Sequence, residues 1–310
     1  MKKLSIVFCS VILLISCDKM QTVIDIDLPP HESKLVVNSS NNLASPFKVY
    51  VSHSIDPLSN DDFQFYSDAS VILYQNSSAV DTLTFVDSSY FYISDISPQQ
   101  GENYKFIISH PKHNTLNTKS LIAPNAIEIK NVSHTTSNVS GGSQISYIRF
   151  DIDDPIESNY YLLRLRAYYS YNTENGSSQV DKESLGFDST DPSLTNGTQD
   201  YDDSYSNKIL FDDQLFNGQT KSFELSYENY NEFYDVEDSK IDSIQINLHS
   251  VSYDYFEYHK SRVQQNDTQG GAIFGSEPVN VFNSFVNDDG TIQGYGLYSI
   301  NSKDTFMITH

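Results

Sequence analysis

The chain is 310 residues long and carries 41 Asp and Glu against 19 Lys and Arg, a formal net charge of −22 at neutral pH. Such acidity repels nucleic-acid phosphates and excludes a polybasic mode of membrane attachment. With 22 Tyr, 18 Phe and no Trp beside abundant Ser, Thr, Asn and Asp, the composition favours pleated strands and polar turns over helices.

The first element is an export signal. Met1-Lys2-Lys3 is a short positive head, and residues 4–15 form an apolar run that falls short of the roughly 20 residues a membrane-spanning helix needs. The run ends in Leu14-Ile15-Ser16-Cys17, a lipobox, in which only the thiol of Cys17 can take a diacylglycerol. Two hydrophobic anchors suffice for stable attachment, so acylated Cys17 predicts a lipid-anchored protein. Residues 1–16 are then the lipoprotein signal peptide and 17–30 a tether, in which Val23 to Leu28 alternates apolar and acidic and Pro29-Pro30 ends any sheet. Cys9 lies in the discarded segment, so the remaining chain offers no disulfide, no thiol catalysis and no cysteine metal site. Asp18-Lys19 behind the anchor is compatible with sorting to the outer membrane and its cell-surface face.

From residue 31 the chain falls into short alternating runs bounded by turn residues. They are 35–38, 47–52, 69–74, 81–86, 90–93, 103–108 and 120–122. Seven such runs with turn signals every 8 to 12 residues or so predict an antiparallel β-sandwich of immunoglobulin-like size over residues 31–125. Pro124 and the polar stretch through Gly141-Gly142 predict a boundary. Residues 126–310 are then a C-terminal β-rich domain with strands at 145–152, 160–168, 208–211, 221–227, 243–249, 279–285, 294–299 and 304–309. One helix is expected at 252–265, capped by Ser252, with His249 and His259 about its start as packing or capping residues. The fold class is therefore mainly β in two domains. Residues 174–207, rich in Asp, Ser, Asn and Gly, read as a long acidic loop.

Chemistry is sparse. Gly142-Ser143-Gln144 lacks the trailing glycine of a nucleophile elbow, and neither a His-Glu-x-x-His zinc helix nor a phosphate loop is present. His110-Pro111-Lys112-His113 brings two imidazoles together on a turn, for which a solvated turn is favoured over metal ligation. Asp151, Asp153 and Asp154 offer carboxylates at a strand end, where acid/base work would need two of them facing across a gap; a turn before Pro155 explains them as well. Asp188, Asp191, Asp200, Asp202 and Asp203 supply the oxygen ligands a calcium ion wants, although their spacing matches no EF-hand and a solvated loop is the competing reading. Tyr168, Tyr169, Tyr201 and Tyr205 are the candidate ligand-binding rings, for stacking on sugars or a protein, against the alternative that strand tyrosines fill a core. No catalytic residue is expected, and no cofactor beyond calcium.

The serial order of several motifs carries a resemblance. A lipobox Cys17 is followed by Val23-Ile24-Asp25-Ile26-Asp27-Leu28-Pro29, Lys34-Leu35-Val36-Val37-Asn38 and Phe47-Lys48-Val49-Tyr50-Val51-Ser52. Then come Ala69-Ser70-Val71-Ile72-Leu73-Tyr74, Phe211-Asp212-Asp213-Gln214-Leu215-Phe216-Asn217-Gly218, Tyr255-Phe256-Glu257-Tyr258, Glu277-Pro278-Val279-Asn280-Val281-Phe282-Asn283 and Gly294-Tyr295-Gly296-Leu297-Tyr298. Together they resemble the Bacteroidota lipoproteins grouped as DUF4249, except that Asn287-Asp288-Asp289-Gly290 and the spaced Gly294 and Gly296 replace a more compact glycine-rich closing turn. The resemblance implies outer-membrane residence and association with barrels of the TonB-dependent transporter type. The expected role is a non-catalytic accessory or ligand-capturing subunit of such a barrel, and the alternative is an independent surface glycan-binding or adhesion module.

Overall fold

In Leu35–Asn42, the first strand (β1), Leu35, Val37, Ser39 and Asn41 are buried and the residues between them are not, which is the period of a pleated strand with one face inward. A computed structural model of the chain describes residues 31–56, 58–60, 62–138, 144–172, 178–201, 207–229, 240–269 and 279–309. The signal, Cys17 and the tether lie outside these residues. By contacts Met1–Glu32 is one unit and Ser33–His310 another, and all the described strands belong to the second.

Two sheets build the N-terminal part. β1 pairs antiparallel with β2 (Lys48–His53), which passes to β6 (Phe91–Ile93) and β5 (Thr84–Val86). Opposite lies a sheet in the order β4 (Ser78–Thr82), β3 (Ser70–Gln75), β7 (Asn103–His110), β8 (His113–Asn117), with β9 (Leu121–Ile122) also on β7. Val49, Val51 and Tyr92 from the first meet Val71, Leu73, Phe106 and Ile108 from the second in one buried cluster. The expected run 81–86 is two strands, because Leu83 is buried and hands the chain from β4 in one sheet to β5 in the other. Strands that change sheet in this way make the corners of sandwiches.

The first sheet does not stop at β1. Its other edge pairs in parallel with β18 (Tyr295–Thr309), from Val36↔Tyr295 to Asn42↔Asn301. β18 is followed across the sheet by β17 (Lys240–Val251) and β12 (Tyr160–Asn172). Beyond β12 lie β15 (Asn207–Asp212) with β14 (Thr198–Tyr201), and β13 (Ser178–Leu185) on the same edge of β12. A three-stranded sheet of β10 (Lys130–Asn138), β11 (Gln144–Asp153) and β16 (Thr220–Asn229) supplies Ile148, Phe150, Phe223 and Leu225 to a second core with Leu163, Leu165, Ile246 and Leu248. Strand pairing thus crosses the expected boundary at 125/126. β18 serves both cores, with Tyr298 and Ile300 in the first and Ile308 in the second.

The expected helix is present as α2 (Tyr253–Gln269), started by Ser252, whose Oγ accepts from Tyr255 N–H at 3.3 Å and whose carbonyl accepts from Phe256 N–H at 3.0 Å. Two expectations need correction. The acidic stretch 174–207 is no structureless loop: its described part contains β13, the one-turn helix α1 (Pro192–Thr195) and β14, anchored by Leu185, Phe187 and Leu194 in the core. Residues 279–285 form no strand. Side chains satisfy the backbone there instead, with Phe282 N–H on Ser261 Oγ at 2.8 Å and the Asn283 amide on Gly294 O at 2.8 Å.

Candidate docking surface

Not every aromatic side chain is taken up by the cores, and one group of exposed rings gathers on the rim formed by β2, β5 and β6. After β2 the chain crosses residues 54–69, and this loop is sewn to the sheet where β6 ends: Tyr66 N–H donates to Val51 O at 2.9 Å and Phe65 bridges to Ser52. Buried Tyr92 ties the far end, its hydroxyl accepting from Ala69 N–H at 2.7 Å and donating to Tyr66 O at 2.9 Å. The backbone is tied at Phe65, Tyr66 and Ala69 while the rings face water, with Leu58 73 %, Phe63 61 % and Phe65 37 % exposed.

The β5–β6 hairpin contributes the rest. Its turn places Tyr90 at φ +59, held by a hydrogen bond from Tyr90 N–H to Val86 O at 3.0 Å, and leaves the ring 49 % exposed. Phe65 meets Tyr90 at 4.4 Å between ring centroids, while Phe63 stacks on Tyr50 at 6.3 Å and Tyr50 meets Phe91 at 5.7 Å. Asp62 and Asp87, both exposed, stand beside these rings in the chain. Exposed aromatic clusters mark interaction sites, and aromatic residues are the groups interfaces use to bury area at low entropic cost.

Behind the ledge, Tyr66 lies between two imidazoles, His110 at 3.7 Å and His53 at 5.2 Å, and its hydroxyl meets His113 Nε2 at 2.8 Å. His110 and His113 therefore do not sit on a solvated turn. His110 is buried against Asp68 at 3.1 Å, and burial pushes the His113 imidazole below its usual range, with His110, His53 and Lys112 adding to that against the carbonyl of Ser33. Among the described residues no three His, Cys, Asp or Glu side chains are placed so that they could hold a metal ion together.

The residues singled out from the sequence are dispersed. Tyr168 and Tyr169 lie on opposite faces of β12: Tyr169 is 6 % exposed in the core, and Tyr168 is half-buried with its hydroxyl 3.4 Å from Gln245. Asp188 exchanges backbone hydrogen bonds with Ser226, and Asp191 caps α1 through Ser193 N–H at 2.8 Å while pairing with Lys221 at 2.6 Å. Asp200 and Tyr201 are on β14, and Asp202, Asp203 and Tyr205 lie outside the described residues. The strand-end acids are each committed to local partners. Asp151 accepts from Asn131 and Ser222, which lowers its carboxyl, and Asp153 takes Lys130 and Thr220 with the same effect. Asp154 accepts from the hydroxyl of Tyr161 and from Gly218 N–H, yet burial raises it.

A concavity of about 420 Å³ opens between Asn117 and Lys119 on one side and Ser284, Asp288, Asp289 and Gln293 on the other. The turn at Asn287 to Gly290 shapes its rim, with Gly290 N–H on Asn287 O at 2.9 Å. Beneath it Asp254 is 5 % exposed. Burial raises its carboxyl, opposed by a hydrogen bond from Ser284 and the charge of Lys119.

Sequence reasoning passed over the ledge because Phe63-Gln64-Phe65-Tyr66 lies in a turn-rich stretch, between Ser59-Asn60-Asp61-Asp62 and Ser67-Asp68, that links two expected strands. The available signal was the recurrence of three aromatics in Tyr90-Phe91-Tyr92, of which only Tyr92 fits the core. Among the described residues no helix is long and apolar enough to cross a membrane. The model of the family described as Domain of unknown function (DUF4249) matches residues 21–306. The search of curated proteins returned no match.

Proposed function

The chain belongs to the DUF4249 family, and from that premise we propose that it is a lipoprotein of the outer membrane, held at the cell surface through acylated Cys17. There it serves as a non-catalytic accessory or ligand-capturing subunit of a barrel of the TonB-dependent transporter type. The observation that carries this reading is the aromatic ledge: Phe63, Phe65 and Tyr90 are presented to water, the backbone being tied at Phe65, Tyr66 and Tyr90 and the Phe63 ring stacked on Tyr50. A whole aromatic side chain buries about 150–250 Å², and with Phe63 61 %, Phe65 37 % and Tyr90 49 % exposed a partner can still cover about half of that at this site. The lipobox supports a membrane location, since acylation would confine the protein to the plane in which a barrel lies. The groove between Lys119 and Asp289 offers a place for a polar small molecule on the same body.

The test begins with the anchor. Full-length protein expressed in its own envelope should partition with membranes and incorporate labelled palmitate, and Cys17→Ser should do neither. Wild-type protein that remains soluble and unlabelled would end the lipoprotein reading.

A further inference from the structure

We infer that Tyr66, packed among His53, His110 and His113, is held by an acid-sensitive clamp that keeps the aromatic loop in place at neutral pH and loosens it as His113 takes up a proton. The inference rests on the ledge as the docking surface and concerns how that surface is regulated.

The neutral state is written into the hydrogen bonds. His113 Nδ1 lies 3.2 Å from the carbonyl of Ser33, which can only accept, so Nδ1 carries the hydrogen and Nε2 keeps the lone pair that accepts from the Tyr66 hydroxyl at 2.8 Å. His110 Nδ1 accepts from Lys112 N–H at 3.3 Å, so its hydrogen is on Nε2, facing Asp68 Oδ1 at 3.1 Å. Each ring thus spends its lone pair on an acceptor role, and a second proton removes that role. On His113 it makes Nε2 a donor, so the tyrosine hydroxyl must turn to accept and its own hydrogen loses this partner, and on His110 it would set N–H against the Lys112 amide. His53 Nδ1 is buried and has no hydrogen-bond partner among the described residues.

Charge works in the same direction. The rings of His113 and His110 are 5.7 Å apart and those of His113 and His53 6.3 Å apart, so imidazoliums here repel one another and Lys112. The facing groups are His53 from β2, Tyr66 and Asp68 from the loop, His110 from β7, Lys112 from the turn and His113 from β8. Asp68 is the one carboxylate in this set, and its side chain is 71 % exposed, so water screens most of what it offers His110. Stacking of a protonated ring on Tyr66 is favourable, but it is opposed by the reversal of the Tyr66–His113 hydrogen bond, which leaves the hydroxyl hydrogen without this acceptor, and by the repulsion from Lys112. Phe63 and Phe65 precede Tyr66 by three residues and one, so loosening Tyr66 loosens the ledge.

Hydrogen exchange on the isolated protein reads the clamp directly. The amides of Tyr66 and Ala69 are bonded to Val51 O and the Tyr92 hydroxyl. Corrected for chemical exchange, their opening should rise about tenfold between pH 7.5 and pH 5.0, and His113→Gln, which cannot titrate, should hold the rise below about twofold. An equal rise in both proteins, or none in the wild type, overturns the clamp. Should His113→Gln not fold, NMR titration of wild-type His113 decides: a midpoint below 6.5 with Tyr66 ring signals moving in step supports it, and a midpoint at or above 6.5 overturns it. No barrel is present in either experiment, so failure here is separate from failure of docking.

Discussion

Replacing Gly296 with alanine is expected to destabilise the protein by at least about 4 kcal/mol or to prevent folding. Gly296 has φ +117, and a Cβ built on it would lie 2.1 Å from Val37 O. That oxygen belongs to the backbone of β1, the strand to which β18 is paired in parallel, with Val37 and Gly296 directly opposite. Nothing soft can yield, so the contact is relieved only by parting the two strands. Parting them withdraws Tyr298 and Ile300 from the N-terminal core, where the Tyr298 hydroxyl donates to Tyr104 O at 3.0 Å. Gly290→Ala is the control. It also has positive φ, at +81, but a Cβ there meets nothing within 4 Å, and the loss should be about 1–2 kcal/mol, the local price of a left-handed alanine. Urea unfolding of both variants checks the pair.

Acid should weaken the fold through His249. This imidazole sits on β17 opposite Lys303 on β18 and Leu162 on β12, and its pKa is pushed down to about 4 by burial and by the charges of Lys303, Arg166 and Arg164. The pairing register makes the arrangement unavoidable, because Arg164 and Arg166 alternate onto the same face of β12 as Leu162. In the unfolded chain the ring binds a proton near pH 6.5, so below that value the unfolded state holds more protons than the native one. Stability is therefore intact above pH 6.5 and falls as pH drops toward 4, by about 3 kcal/mol in all. Denaturant unfolding at pH 7 and pH 4 should show this extra loss in the wild type and not in His249→Gln. Equal slopes would remove His249 from the account.

Much of the strand framework was legible because burial on one face writes itself into alternation. β1, β2, β3, β7 and β11 were found in this way, and α2 from Ser252 and its aromatic spacing. Two polar edge strands were not legible. β10 reads Lys-Asn-Val-Ser-His-Thr-Thr-Ser-Asn and β13 Ser-Gln-Val-Asp-Lys-Glu-Ser-Leu, polar on both faces, since each is held by one neighbour's backbone and fills little of a core. The single sheet spanning both halves was hidden for a different reason: parallel pairing of residue 36 with residue 295 leaves no local mark. The ledge was legible in composition but not in position, because tyrosine and phenylalanine serve core and surface alike. Tyr169 and Tyr92 went inward while Phe63 and Tyr90 stayed out, and only the three-dimensional edge of β5 and β6 decides which.

The most direct test of the proposed role compares wild-type lipidated protein with a Phe63→Ser, Phe65→Ser, Tyr90→Ser variant, both purified from the native envelope in mild detergent at pH 7.5. All three rings are exposed, so the variant should unfold within about 1 kcal/mol of the wild type. The account predicts that a TonB-dependent-type barrel co-purifies in constant ratio with the wild type and is reduced at least about tenfold with the variant, the effect of losing hot-spot rings at an interface. Recovery of no barrel with the wild type, or equal recovery with both proteins, would contradict it.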